Sequence, residues 1–206
     1  MGRELTARQI LEKKKYTDCF LNGTTHSNQY GEGNHGVNAV PFFEEQNVKS
    51  TIDIGAGQGV FVNNLVNNGK LNLEKIYALD IASVSTDKNI KNANIEWIDG
   101  MAHNIPLSNN EVEWVVSFDC LEHCLPEDID QILSEFYRVC TKGSIVKIAY
   151  RGCIEQSKIK ETISVDQSSL HLTIHDENWW IDKFKEAKFK VKDDVKKIPQ
   201  YLIFWK

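Results

Sequence analysis

Residues 51–59 read Thr-Ile-Asp-Ile-Gly-Ala-Gly-Gln-Gly, an apolar run followed by three alternating glycines and then a helical pattern from Val60. Glycine permits a sharp turn and lets a ligand approach the backbone closely. The first N–H groups of the helix that follows have no partner within it. Such a loop is built to hold a cofactor, and two details narrow which one. A dinucleotide loop spaces its glycines GxGxxG; here the third glycine comes one residue early and Val60 holds the expected place. Asp53 stands two residues before Gly55, where a carboxylate repels a pyrophosphate and attracts a cation. Asp53, Gly55 and Gly57 therefore suit a ligand with sulfonium and ammonium groups, such as S-adenosylmethionine, better than a diphosphate.

Asp80 ends the next apolar run, about 25 residues on, where a carboxylate can accept from both hydroxyls of a ribose. Ile81, next to it, belongs to the same candidate site. A third run ends in Asp99-Gly100-Met101. Asp99 can accept from an adenine amino group, and Met101 can pack on the ring.

These residues need a frame, and the apolar periodicity supplies one. Strands are predicted over 50–54, 75–79, 95–98, 113–118, 144–150, 189–193 and 201–205. Helices are predicted over 4–15, 37–46, 60–68, 128–140 and 177–187. In the fourth of these Ile129, Ile132, Leu133, Phe136 and Val139 share a face, Pro126 precedes it and Lys142-Gly143 is expected to stop it. Strands alternating with helices imply parallel pairing with right-handed crossovers. The link between the last two strands is too short for such a crossover, so they should be antiparallel. The fold class expected is α/β: a Rossmann-like, doubly wound, mostly parallel seven-stranded sheet with an antiparallel last strand. Ligands then bind at the carboxyl ends of the strands. Residues 1–47 read as an N-terminal helix and a lid-like segment that includes Tyr16, His26, Tyr30 and His35; residues 48–206 read as the cofactor-binding domain.

At 206 residues, with 29 acidic against 24 basic side chains, the chain carries a net charge of -5. That balance argues against a nucleic-acid partner. No apolar run has the length of a membrane span, and residues 1–15 are too charged for a secretory signal. The five cysteines form no CxxC pair, and Cys120 and Cys124 alone are too few for a zinc site. Reduced thiols and a cytoplasmic location are expected. The oligomeric state is left open.

Together the motifs resemble those of class I S-adenosylmethionine-dependent methyltransferases. DIGAGQG is similar to the first motif of that family, Ala-Leu-Asp at 78–80 to its acidic second motif and Ile-Asp-Gly at 98–100 to its third. Phe118-Asp119-Cys120-Leu121-Glu122-His123 resembles the D-x-L-E-H stretch of the branch that acts on small molecules. The usual K-P-G-G turn is replaced by Thr-Lys-Gly-Ser at 141–144. The resemblance implies S-adenosylmethionine as cofactor, with Asp53, Gly55 and Gly57 at its methionine part and Asp80 on the ribose. Asp99 and Met101 would flank the adenine, and Asp119 would lie beside the reacting methyl.

On the acceptor side the chemistry implied is in-line methyl transfer to a small molecule, most simply at an oxygen, with a base to take its proton. His123 follows the fourth strand and is the first choice; His171 is the second, with Tyr150 and His175 as further candidates. Asp119, Glu122 and His123 stand at i, i+3 and i+4 and share a face if the segment is helical. With His171 or His175 they would match the Mg²⁺ pattern of some metal-dependent O-methyltransferases, although those relatives usually have Glu at the Asp119 position. The metal-free histidine base is the preferred reading. Two rivals are a dinucleotide oxidoreductase and a non-catalytic, cofactor-binding regulatory or partner subunit.

Overall fold

The apolar runs assemble into one sheet. The computed structural model describes residues 4–21, 36–82, 94–149, 171–192 and 201–206. Six strands pair among them: β1 (Ser50–Ile54), β2 (Lys75–Asp80), β3 (Ile95–Asp99), β4 (Val112–Phe118), β5 (Cys140–Lys147) and β6 (Leu202–Trp205). Their order is β3-β2-β1-β4-β5-β6. The first five are parallel, and β6 runs antiparallel to β5. The Rossmann-like, mostly parallel sheet with its antiparallel end is as expected; of the seven strands expected, six form among the described residues. Over 189–193 a single antiparallel bridge forms, Lys190 to Trp205, because Phe189 turns into the core beside Phe184 and Phe204. Asp193 lies outside the described residues.

Among the described residues five α-helices flank the sheet: α1 (Ala7–Leu21), α2 (Val40–Glu45), α3 (Val60–Val66), α4 (Ile129–Val139) and α5 (Glu177–Glu186). Side chains alternate across a strand, so the sheet offers two apolar faces. Ile52, Ile54, Val115 and Val146 meet Ile132, Leu133 and Phe136 of α4 and Trp180 and Phe184 of α5. Trp114, Val116, Phe118 and Ile145 meet Phe42 and Phe43 of α2 and Phe61, Val62 and Leu65 of α3. Each large apolar side chain fully buried this way contributes about 1.5–3 kcal/mol, far more than any surface ion pair. The predicted stripe on α4 is buried in full.

Two helix limits differ from the expectation. α1 begins at a Thr6–Gln9 capping box, in which Gln9 N–H donates to Thr6 Oγ1 (3.3 Å) and Thr6 N–H to Gln9 Oε1 (3.0 Å). It runs on to Leu21, so Tyr16 and Phe20 are helical and not part of an irregular stretch; His26, Tyr30 and His35 lie outside the described residues. α4 ends at Val139, and β5 begins at once with Cys140 in extended conformation. Gly143 therefore stops no helix. It pairs with Trp205 across the β5–β6 ladder, where a Cβ would stand 2.1 Å from the Phe204 carbonyl oxygen and 2.9 Å from the Trp114 ring. Among the described residues no helix is long and apolar enough to cross a membrane.

Gly143→Ala is accordingly expected to destabilise the fold by about 1–3 kcal/mol, the scale of overpacking in a closed core. Urea unfolding monitored by tryptophan fluorescence measures it, and a stability equal to wild type would contradict the packing described.

Candidate active site

β1 is the pivot of the sheet, with β2 on one side and β4 on the other. The chain winds outward from it in both directions, which leaves a crevice at the carboxyl ends of β1 and β4. The glycine loop lies there. Gly55 has φ +77°, and a Cβ on it would stand 2.3 Å from Cys120 Sγ, which follows β4. Gly57 has φ +52° with nothing within 4 Å of a Cβ position, so its backbone faces open space.

Asp80 fixes this loop to the end of β2. Gly57 N–H donates to Asp80 Oδ2 and Ala82 N–H to Asp80 Oδ1, each at 2.8 Å. The carboxylate is thereby held at two points at the edge of the loop.

A cleft of about 850 Å³, part of it open to solvent, extends from this point. Gly55, Gly57, Asp80, Ile81, Met101, Asp119 and His123 line it, along with Glu12, Tyr16 and Phe20 of α1. Ile54, Leu79, Leu125 and Ile132 give it an apolar floor, and His103, Cys120, Cys124 and Asp128 complete its polar wall. Four carboxylates and no lysine or arginine are among these lining residues. Such a surface suits a cationic ligand with an apolar ring and opposes a pyrophosphate. The residues present thus fit S-adenosylmethionine.

Two candidates from the sequence stand elsewhere. Asp53 lies inside β1, in register with Ala78 and Val116 and 3% exposed, and does not line the cleft. Burial, with repulsion from Asp80 added, pushes its pKa up to about 8. It is protonated at neutral pH, and the negative charge at the cleft comes from other carboxylates. The Asp99 carboxylate points away from the cleft lining to Lys13 of α1, at 2.5 Å.

Asp119 has φ +49° directly after β4. Its N–H donates to the Lys147 carbonyl (2.8 Å), and Lys147 Nζ donates to its Oδ2 (2.5 Å). The chain then forms a 3₁₀ turn, Leu121–His123, and not an α-helix. The shared face expected for Asp119, Glu122 and His123 is therefore broken. Asp119 turns to Lys147, while Glu122 and His123 turn to the segment that carries His171.

That segment is pinned to the turn. Leu172 N–H (2.9 Å) and Thr173 N–H (3.0 Å) both donate to the Glu122 carbonyl, and Thr173 Oγ1 donates to the Cys124 carbonyl (2.8 Å). The His123 and His171 rings meet edge to face with centroids 4.6 Å apart, and Tyr16 meets His123 from α1. His175 instead stacks on Trp179 at 3.8 Å, away from this pair. Tyr150 lies outside the described residues. Glu122 is fully buried; its Oε1 accepts from Ala149 N–H (2.9 Å). Desolvation, with Asp119 nearby, pushes its pKa up to about 8.

Sequence reasoning missed the wall opposite. His103 is buried, with Nδ1 3.8 Å from Asp128 Oδ2, and Gln9 Nε2 donates to both Asp128 oxygens at 3.0 Å. The Thr6–Gln9 capping box was the one local signal of Gln9; nothing local marks His103 or Asp128.

The comparisons with known proteins agree with this geometry. Residues 52–148 match the family described as a methyltransferase domain. Over those residues the chain matches a methyltransferase domain, and its sheet has the Rossmann-like arrangement typical of class I methyltransferases. No curated protein matches its sequence. Among solved structures the methyltransferase domain resembles 1,6-didemethyltoxoflavin-N1-methyltransferase from Burkholderia thailandensis, with TM-score 0.67 and 11% identity over 100% of this chain and 92% of that one. Magnesium protoporphyrin IX methyltransferase from Synechocystis aligns with TM-score 0.62 and 14% identity over 94% and 98%. Human N-acetylserotonin methyltransferase aligns with TM-score 0.57 and 15% identity over 82% and 50%.

The buried Asp53 makes a pH signature. Its folded pKa of about 8 lies above the ordinary 3.8 of an aspartate, so between these values the folded state binds more protons than the unfolded one. The contribution to stability is full below about pH 4 and is lost as pH rises through about 8. Asp53→Asn should remove this component: its unfolding free energy should fall less than that of wild type between about pH 5 and 8.5. Parallel urea titrations decide it, and equal pH slopes would show Asp53 to be ionised in the fold.

Proposed function

We propose that the chain transfers a methyl group from S-adenosylmethionine to an oxygen of a small-molecule acceptor, with His123 as the base. The observation that carries this reading is the cleft itself: acid-rich, without lysine or arginine among its lining residues, and with an imidazole at the β4 end. The three structural relatives named above are methyltransferases of small molecules by their names, which supports a small acceptor here. The lining opposes a dinucleotide, and an open cleft with a polar wall favours catalysis over a regulatory role. The described cysteines Cys19, Cys120, Cys124 and Cys140 are free thiols, which supports a reducing, cytoplasmic setting. Mg²⁺ is not needed for this reading.

When bound, S-adenosylmethionine supplies a methyl group on a sulfonium. The chain's own residues do the rest. Asp80 takes the ribose hydroxyls, held in place by Gly57 and Ala82, with Ile81 and Met101 along the purine. Gly55 and Gly57 leave room for the methionine part, and Asp119 stands at the β4 end beside the transferred group. Asp53 acts from beneath, as a neutral acid in β1, and Asp99 acts indirectly by anchoring α1 through Lys13. His123 faces the cleft and takes the acceptor's hydroxyl proton, with His171 packed against it as a second imidazole. Alignment of the acceptor for in-line attack is the larger contribution.

S-adenosylhomocysteine should raise the melting temperature, since it binds only the folded state. Asp80→Ala should weaken that shift, and His123→Asn should retain it. With an acceptor in hand, His123→Asn should lower kcat about 10²–10⁴-fold. No shift with S-adenosylhomocysteine would overturn the cofactor. A loss of turnover in His171→Asn alone would move the base to that residue.

The N-terminal segment serves as the lid. Glu12, Tyr16 and Phe20 of α1 line the cleft from above, and α1 is held to the body by Gln9–Asp128, Arg8–Glu127 and Lys13–Asp99. Amide exchange in residues 10–21 should slow when S-adenosylhomocysteine saturates the protein; exchange that stays unchanged would reduce α1 to a static appendage.

A further inference from the structure

We infer that Gln9, Asp128 and His103 form a ligand-operated latch, and that α1 carries its state along its length to Tyr16 and the His123 base. The latch rests on the reading of the cleft proposed above, with the purine along Met101 and the acceptor beside His123. Its first support is where the buried contact of α1 lies. The Arg8–Glu127 and Lys13–Asp99 pairs leave their side chains more than a third exposed, whereas Gln9 is 6% exposed and His103 7%. Gln9 Nε2 stands 3.0 Å from both oxygens of Asp128. His103 Nδ1 approaches Oδ2 of the same carboxylate at 3.8 Å, too far for a hydrogen bond. Asp128 is thus secured on the α1 side and open on the body side. Asp128 and His103 are among the residues that line the cleft, and Gln9 is not. A ligand ring packed on Met101 and Ala102 lies against the next residue, His103, and moves its imidazole onto Asp128. The chain from ligand to α1 is then closed by hydrogen bonds that reinforce one another.

The second support is that Gln9 serves two structures at once. Its Oε1 accepts from Thr6 N–H in the capping box, and its Nε2 holds Asp128. The first turn of α1 and its docking therefore share one side chain. From Gln9 the helix continues to Leu21 with neither glycine nor proline in it. Tyr16 is seven residues on, close to two turns and about 10 Å along the axis, and so on the same face. There its ring meets the His123 ring edge to face, with centroids 6.1 Å apart. A stiff helix fixed at Gln9 fixes Tyr16, and Tyr16 restrains one side of His123. Gln9 is accordingly a positioning residue. It touches neither the cofactor nor the acceptor, yet it sets the wall against which the base rests.

The test uses the full chain with S-adenosylhomocysteine as the probe. Gln9→Glu keeps the capping box, which accepts glutamate as well as glutamine, and sets a second carboxylate against Asp128. It should weaken S-adenosylhomocysteine binding by about 5–150-fold, the usual range for coupled sites, although residue 9 is not among the lining residues. Adding Asp128→Asn exchanges carboxylate and amide between the two positions and should recover most of that affinity. Arg8→Ala removes an exposed pair and should bind as wild type does. Gln9→Met, similar in length and without a donor, serves if Gln9→Glu fails to fold and should act in the same direction. The ring-proton resonance of His123 separates a latch from a mere loss of stability. With S-adenosylhomocysteine saturating, it should shift in wild type and in the double variant, and shift less in the single Gln9 variants. Affinity equal to wild type in the Gln9 variants, or a His123 resonance that responds alike in all, would overturn the coupling and leave the methyltransferase reading. Weakened binding without recovery in the double variant would overturn the Gln9–Asp128 contact as the latch. Failure of the wild type to bind S-adenosylhomocysteine would overturn that reading and the latch together.

Discussion

The position of β4 against β1 governs this molecule. The chain builds β1, β2 and β3 outward to one edge and then returns to the opposite side of β1. Hydrogen bonding in the parallel ladder, with Thr51 opposite Trp114 and Asp53 opposite Val116, brings the ends of two strands distant in sequence side by side. Everything that follows β1 then faces everything that follows β4. Gly55 is a glycine because Cys120 occupies the space of its Cβ, so the glycine loop and the turn after β4 touch at that residue. A bulkier side chain at either place would separate the two halves of the cleft.

Electrostatics in the cleft follow from which acids reach it. Two carboxyls are buried deeply enough to stay protonated near neutrality, Asp53 beneath the loop and Glu122 beneath the turn. Desolvation dominates both, and each is raised further by a neighbouring acid that faces the cleft, Asp80 for the one and Asp119 for the other. Neutralising the inner acids lets the outer ones remain charged where a cationic ligand can meet them. Lys147 balances Asp119 from behind. The charge pattern is thus layered: neutral acid inside, anion at the surface of the cleft.

Much of this was legible in the sequence, for identifiable reasons. Period-two alternation in the strands and the stripe on α4 depend on local burial, which a residue pattern records directly. The glycine loop and Asp80 are legible because a turn and a strand end have local chemistry. Nothing local shows that Lys13, 86 residues away, takes the carboxylate of Asp99, so that contact is invisible to a reading of the strand end alone. The grouping of Asp119, Glu122 and His123 failed for a different reason: helical spacing presumes helical backbone, and the left-handed φ of Asp119 followed by a 3₁₀ turn rotates that residue away. Lys142-Gly143 has the look of a helix stop because glycine serves both turns and close packing, and only the position of β6 tells them apart. His103 and Asp128 depend on α1 and were out of reach of any local pattern.

α1 has the physical character that a cover over a consumed cofactor requires. Among its described residues only Gln9 and Cys19 are buried, and Ile10, Leu11 and Leu21 remain exposed. Much of its attachment is polar, beside the Tyr16–His123 ring contact and the buried Cys19: an Arg8–Glu127 pair with both side chains more than half exposed, a Lys13–Asp99 pair more than a third exposed, and the Gln9–Asp128 hydrogen bonds. Exposed pairs of this kind are worth about 0–1 kcal/mol each, whereas the core clusters on the sheet owe their stability to buried aromatic and aliphatic surface. The helix can therefore lift at a small fraction of the cost of unfolding the sheet. A methyl donor is converted at every turnover and its product must leave, so a cover packed as tightly as α4 would hold the product as firmly as the substrate. In the lid role proposed above, polar anchoring at Gln9 and Lys13 would close the cleft without committing the molecule to that state.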